Sequence, residues 1–199
     1  PARRLRVTGT ELRPAWAVAW NDLGAALLET KRAPDALACF QRATSLDASR
    51  ARSWNNLGLA LLELNRLDEA AAALGQALAV DPAYALAHLN LARLHDASGD
   101  DAKALTHALE ACRLAPQNAA AHLRAGDIYR KRSDAPRAIA AYRRAVATNP
   151  GHAAPRNALA DMLREAGHFE DARREFDATR RDHPGNLKAA LGSALLLPV

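Results

Sequence analysis

Trp20-Asn21-Asp22-Leu23-Gly24 returns as Trp54-Asn55-Asn56-Leu57-Gly58, a spacing of 34 residues. Carried along the chain, that period gives five aligned stretches, 17–50, 51–84, 85–118, 119–152 and 153–186, without insertion or deletion. The alignment is chemical as well as numerical. Counting each stretch from one, position 8 holds Gly24, Gly58, Ala92, Gly126 and Ala160, all small enough to let two helices approach closely. Position 20 reads Ala36, Ala70, Ala104, Ala138 and Ala172, and position 27 reads Ala43, Ala77, Ala111, Ala145 and Thr179. Position 32 is Pro82, Pro116, Pro150 and Pro184 in four stretches and Ala48 in the first. A proline there ends one helix and sets the turn into the next. Larger apolar groups come from Leu23, Leu57, Leu91 and Leu159 at position 7 and from Phe40, Leu74, Tyr142 and Phe176 at position 24.

This pattern, W-x2-L-G-x2-(large)…A-x3-F…A…P, resembles the tetratricopeptide repeat over residues 17–186. The resemblance implies an all-α fold, a right-handed α-solenoid of tandem helix-turn-helix units with a concave and a convex face. The residues agree by themselves. Two amphipathic helices of about 12 to 14 residues fit each stretch with short connections. Pro34 and Pro136 fall at position 18, in the first turn of the second helix, where a missing amide hydrogen costs nothing. Aromatic residues are only 5% of the chain and alanine supplies much of the 49% hydrophobic content, so the interior must be helix packed on helix. No stretch alternates as a half-buried strand does, and no apolar run is long enough to span a bilayer. Such an array has no central core; each repeat leans on its neighbours.

Run backwards, the register puts Ala2 at position 20, Leu12 at position 30 and Pro14 at position 32 of a preceding repeat, so residues 1–16 read as the remnant of its second helix. Residues 187–199 read as a C-terminal helix, the start of a further repeat or a cap. Ala194, Leu195, Leu196 and Leu197 form an apolar run there, whereas a terminal cap needs a polar outer face. The expectation is a segment of a larger protein, its C-terminal helix covered by a further stretch of that protein or by self-association.

Function in a repeat array lies on its surface. The resemblance implies that first-helix positions 2, 5, 6, 9, 12 and 13 line the concave groove. Here they supply Asp22 and Glu29, then Arg52, Asn55, Asn56 and Glu63, then Asn90, Arg93 and Asp96. The fourth repeat supplies Arg124, Asp127, Arg130 and Lys131, and the fifth Asn157, Asp161, Arg164 and Glu165. The groove therefore reads as polar with mixed charge. The candidate peptide-contacting set is Asn55, Asn56, Asn90, Arg93, Arg124, Asp127, Arg130, Lys131 and Asn157. The carboxylate clamp of chaperone-binding relatives is not matched in any window, since Asn56 and Asn90 fit only its middle element.

Asn56 and Asn90 also resemble two rungs of the asparagine ladder of O-linked N-acetylglucosamine transferases, where position-6 amides hold a peptide backbone. A carboxamide offers both donor and acceptor and so binds without reading sequence. Asp22, Arg124 and Ala158 break the ladder, and the bland alternative is an ordinary polar groove. With the C-terminal Leu-Leu-Leu-Pro-Val, the ladder leaves two function classes: a non-catalytic scaffold that binds a protein or peptide segment, or the substrate-recruiting arm of a larger glycosyltransferase. A catalytic domain of that kind has no counterpart in these residues.

The net charge of +5 and pI of about 9.7 raise nucleic acid as a partner, but the distribution argues against it. The excess sits in Arg3, Arg4, Arg6 and Arg13 and in the fourth repeat, whose cations point several ways. They read as a solvated face or, more sharply, as a trio (Arg124, Arg130, Lys131) that attracts an acidic peptide segment. None of the seven histidines has metal-ligand spacing, and no phosphate loop or nucleophile motif exists, so neither catalysis, metal nor cofactor is expected. His88 and His122 stand where Trp20 and Trp54 do and read as packing residues. Cys39 and Cys112 occupy different repeat positions, which makes a disulfide improbable and favours a reducing, cytoplasmic setting. The third repeat, with His88, His95 and Ala108 at aromatic positions, should have the thinnest core.

Overall fold

The computed structural model describes residues 9–196, with side chains from Trp16 onward. Arg3, Arg4, Arg6, the side chain of Arg13 and Leu197 therefore lie outside the described residues. Among those described, every regular element is helical: α1 (Gly9–Glu29), α2 (Ala33–Leu46), α3 (Ala51–Glu63), α4 (Leu67–Val80), α5 (Ala85–Ala97), α6 (Asp101–Leu114), α7 (Ala119–Lys131), α8 (Ala135–Thr148), α9 (Ala153–Glu165), α10 (Phe169–Asp182) and α11 (Leu187–Ala194). From α2 to α10 the helices occupy positions 1–13 and 17–30 of each 34-residue stretch, an α-solenoid arrangement of tandem helix hairpins. α1 starts earlier. It runs unbroken through Pro14, where the repeat register places a turn.

Each first helix ends the same way. Position 15 adopts a left-handed conformation in all five repeats: Lys31 (φ 60°), Asn65 (φ 57°), Gly99 (φ 80°), Ser133 (φ 59°) and Gly167 (φ 81°). In the second repeat Asn65 N–H donates to Leu62 O at 3.0 Å and Arg66 N–H to Leu61 O at 2.9 Å, closing a Schellman motif that satisfies the last carbonyls of α3. The second helices α2 and α8 carry Pro34 and Pro136 in their first turns, and Asp100 and Asp134 cap α6 and α8 by accepting from Lys103 N–H and Arg137 N–H. Asn118 and Asn186 do the same for α7 and α11.

The alanines of positions 20 and 27 are all fully buried, as is Thr179, whose hydroxyl donates to Glu175 O at 3.1 Å. At position 8 the glycines are steric requirements. A Cβ on Gly24 would come within 2.6 Å of the Phe40 ring, on Gly58 within 2.6 Å of Leu74, and on Gly126 within 2.5 Å of Tyr142. Ala160 escapes this clash because the Phe176 ring leans instead onto Gly192 of α11.

Position 4 shows what the Trp-to-His-to-Arg drift preserves. Trp54 Nε1 donates to Ala48 O (2.8 Å), His88 Nε2 lies 3.2 Å from Pro82 O, His122 Nε2 lies 2.9 Å from Pro116 O, and Arg156 Nη2 donates to Pro150 O (2.7 Å). Each side chain ties the start of a first helix to the carbonyl six residues earlier, at position 32.

The chain divides into two compact units between Ser98 and Gly99. In the first, Phe40, Leu57, Leu61, Leu74, Leu91 and Leu94 form the core; in the second, Tyr142, Leu159, Met162 and Leu163 do, with Phe176 and Ala189 beside them. Full burial of each large side chain contributes about 1.5–3 kcal/mol. Leu187, Leu191 and Leu195 are exposed on α11 and its end. Of the position-7 leucines, Leu57, Leu91 and Leu159 are buried and Leu23 is exposed.

Candidate functional site: the first-helix face

In the first compact unit, α1, α3 and α5 stand side by side and are joined by a directed chain of side-chain amides. Asn21 Nδ2 donates to Asp22 Oδ1 (3.2 Å), Asn56 Nδ2 to Asn21 Oδ1 (2.9 Å), Asn55 Nδ2 to Asn56 Oδ1 (3.1 Å) and Asn90 Nδ2 to Asn55 Oδ1 (2.9 Å). A carboxylate terminates the chain at Asp22 and a guanidinium at the other end, where Arg93 Nη1 reaches Asn90 Oδ1 at 3.4 Å. Those charges set the direction in which every amide points. Asn55 and Asn90 are buried, so much of their hydrogen-bonding capacity is committed between repeats and little of their surface is presented outward. Asn56 remains half-exposed. Ion pairs flank the chain: Arg52 with Asp22 (3.2 Å) and Arg93 with Glu63 (3.1 Å).

Beside this network the face is not polar. Leu28, Leu59 and Ala33 line a cleft of about 740 Å³ whose rim carries Glu29, Lys31, Glu63 and Arg93. Leu28 and Leu59 are half-buried. Mixed charge is thus found on the rim, while the floor is aliphatic. Lys31 and Ala33 come from the turn and the start of α2, outside the positions considered from sequence.

The second compact unit presents a different face on α7, α9 and α11. Arg130 pairs with Glu165, Lys131 Nζ lies 2.6 Å from Asp101 Oδ1, and Arg124 lies 4.0 Å from Asp127. Asp127 also accepts from the Tyr142 hydroxyl at 3.0 Å. Burial, reinforced by the Asp127 charge, pushes that phenol well above its ordinary range. Lys188 joins α11 to Asp161 of α9 at 2.6 Å. Asn157 is buried; its Nδ2 donates to Asn186 Oδ1 at 3.2 Å while its own Oδ1 has no partner. Of the nine residues singled out from sequence, Asn55, Asn56, Asn90 and Arg93 are brought together in the first unit. Arg124, Asp127, Arg130 and Lys131 all lie on α7, and Asn157 stands apart as a joint between α9 and α11.

Among the described residues no cluster of three or more His, Cys, Asp or Glu side chains could hold a metal, and no helix is long and apolar enough to cross a membrane. Both cysteines are free thiols, and burial pushes Cys112 up to about 11.

Sequence models described as tetratricopeptide repeat match residues 17–83, 55–119 and 129–194. No curated protein sequence matches the chain. Among solved structures, PilF of Pseudomonas aeruginosa is 19% identical with a TM-score of 0.83, over 92% of this chain and 84% of that one. TTC0263 of Thermus thermophilus, a thermophilic protein of the same repeat type, is 21% identical with a TM-score of 0.74, over 90% and 98%. YrrB, described as having an unusual peptide-binding site, is 18% identical with a TM-score of 0.66, over 89% and 92%. At these identities the likeness is one of fold.

Proposed function

We propose, from the premise that this chain is built of tetratricopeptide repeats, that it is a non-catalytic interaction scaffold that binds an extended segment of a partner protein along the face of its first helices. The observation that carries this reading is the open cleft on α1 and α3, an aliphatic floor with a charged rim beside an ordered amide array. Such a combination suits a peptide, whose side chains want apolar cover and whose backbone wants fixed hydrogen-bonding groups. YrrB, which shares the fold, supports the same reading through its described peptide site. The fourth-repeat cations Arg124, Arg130 and Lys131 attract an acidic segment only by exchanging their present carboxylate partners. Nucleic acid is not the partner in this reading, because those cations are spent within the protein. Asn56 is half-exposed on α3, one turn before Leu59 of the cleft, and in this reading its substitution by alanine should weaken peptide binding.

The test is hydrogen exchange on the full chain with and without a peptide selected for binding to it. Slowed exchange concentrated on α1, α3, α5, α7 or α9 is the expected outcome. Protection confined to the second helices α2, α4, α6, α8 and α10 overturns the reading.

A further inference from the structure

We infer that the cleft between α1 and α3 takes a large apolar side chain of a partner peptide, and that Glu29 pairs with a lysine or arginine adjacent to that side chain. The inference rests on the reading of the first-helix face as a peptide-binding surface, and adds the chemistry of the segment it selects. Leu28, Leu59 and Ala33 give the cleft an apolar floor, and its volume of about 740 Å³ accommodates a bulky side chain together with part of its backbone.

The rim decides the charge. Glu63 is already bridged to Arg93 at 3.1 Å. Glu29 is exposed on the last turn of α1 and has no ion-pair partner among the described residues. A helix C-terminus carries partial negative charge, so a carboxylate there is placed against its own helix dipole and gains from a cation brought to it. The same is true of Glu63 at the end of α3. A peptide that covers Glu29 removes water from an unpaired carboxylate, which is costly unless the peptide supplies the compensating charge. Lys31 imposes no matching demand for an anion. It sits in the exposed turn after α1, next to the same helix carbonyls, and its flexible stem can keep the ammonium in water. The contrast with α7 is direct: there the charged groups Arg130 and Lys131 already hold carboxylates.

The experiment is selection of a random heptapeptide library against the full chain, followed by fluorescence anisotropy of the selected peptides with Glu29→Lys and Leu59→Glu variants. Enriched peptides should carry a Leu, Ile, Phe, Met or Trp next to Lys or Arg, and each variant should weaken them by about tenfold. Glu29→Lys should regain affinity for a peptide in which the basic residue is replaced by Glu. Because Glu29 is exposed, that variant retains the fold even if Leu59→Glu does not, and circular dichroism checks both. Enriched peptides that are acidic, or that bind Glu29→Lys unchanged, overturn the inference while leaving a scaffold that binds elsewhere on the first-helix face. Failure of every peptide to protect any first helix overturns both readings.

Discussion

Single residues in this molecule are chosen for what the backbone or a carbonyl demands at their repeat position. Position 15 must be left-handed, yet only two of its five occupants are glycine, and Lys31 and Ser133 carry the steric cost of a Cβ there. Ser133→Gly should therefore raise stability by about 1 kcal/mol in urea titration, and Gly167→Ser should lower it by a similar amount. Position 4 must donate. His122→Phe should cost about 1 kcal/mol by leaving Pro116 O without its partner, whereas His122→Trp, the residue found at 54, should restore the midpoint. Cys112 supplies a pH test. Its thiol is raised by burial to about 11, so above the ordinary thiol range the unfolded chain loses the proton while the native chain keeps it. Stability present at lower pH is thus lost between about pH 9 and pH 11, more steeply than in Cys112→Ser, and alkylation of the native thiol at pH 8 should be much slower than in urea.

At the scale of elements, α11 is a working part of the second unit. Gly192 lets it lie against the Phe176 ring, and Asn186 both caps it and accepts from Asn157. Ending the chain at Asn186 should uncover Phe176 and Ala160, lower stability by roughly 1.5–3 kcal/mol and shift the thermal midpoint down by several degrees in calorimetry. The helices themselves were legible in the sequence because small residues recur at positions 8, 20 and 27, and only helices packed at a fixed spacing need that recurrence. Their joints were less so. Nothing in the letters of Lys31 or Ser133 announces a left-handed turn, and Trp, His and Arg at position 4 look like decay until their shared bond is seen. The cleft was hidden for a similar reason. Leu28 and Leu59 stand at groove positions 12 and 9 among polar neighbours, and the half-burial that joins them into a floor is a property of packing that no single residue carries. Asn56 and Asn90 stand out in the sequence by their shared repeat position; that they bond to Asn21 and Asn55 depends on amides 35 residues apart meeting in space.

On the scale of the whole molecule, the division into compact units falls inside the third repeat, between its two helices. That repeat has His88, His95 and Ala108 where the second repeat has Trp54, Leu61 and Leu74, and Ala104, Ala108 and Ala111 are the only residues buried on α6. Little apolar area means little local stability. Amide exchange across 85–118 should accordingly be faster than across 51–84, and equal protection would refute the point.

The amide chain has one more property. The second repeat offers Asn56 to the repeat before it and Asn55 to the repeat after it, like a link with a hook at one end and an eye at the other. Hook and eye match, so a duplicated copy of 51–84 inserted after Tyr84 would couple to its own template, Asn56 of the copy reaching Asn55 of the original. The ion pairs would not follow, because Arg52 needs the carboxylate of Asp22 and Glu63 needs Arg93. The molecule can therefore be lengthened like a chain at this one link, and each added link dilutes the charges that frame the cleft without breaking the seam that holds the first helices together.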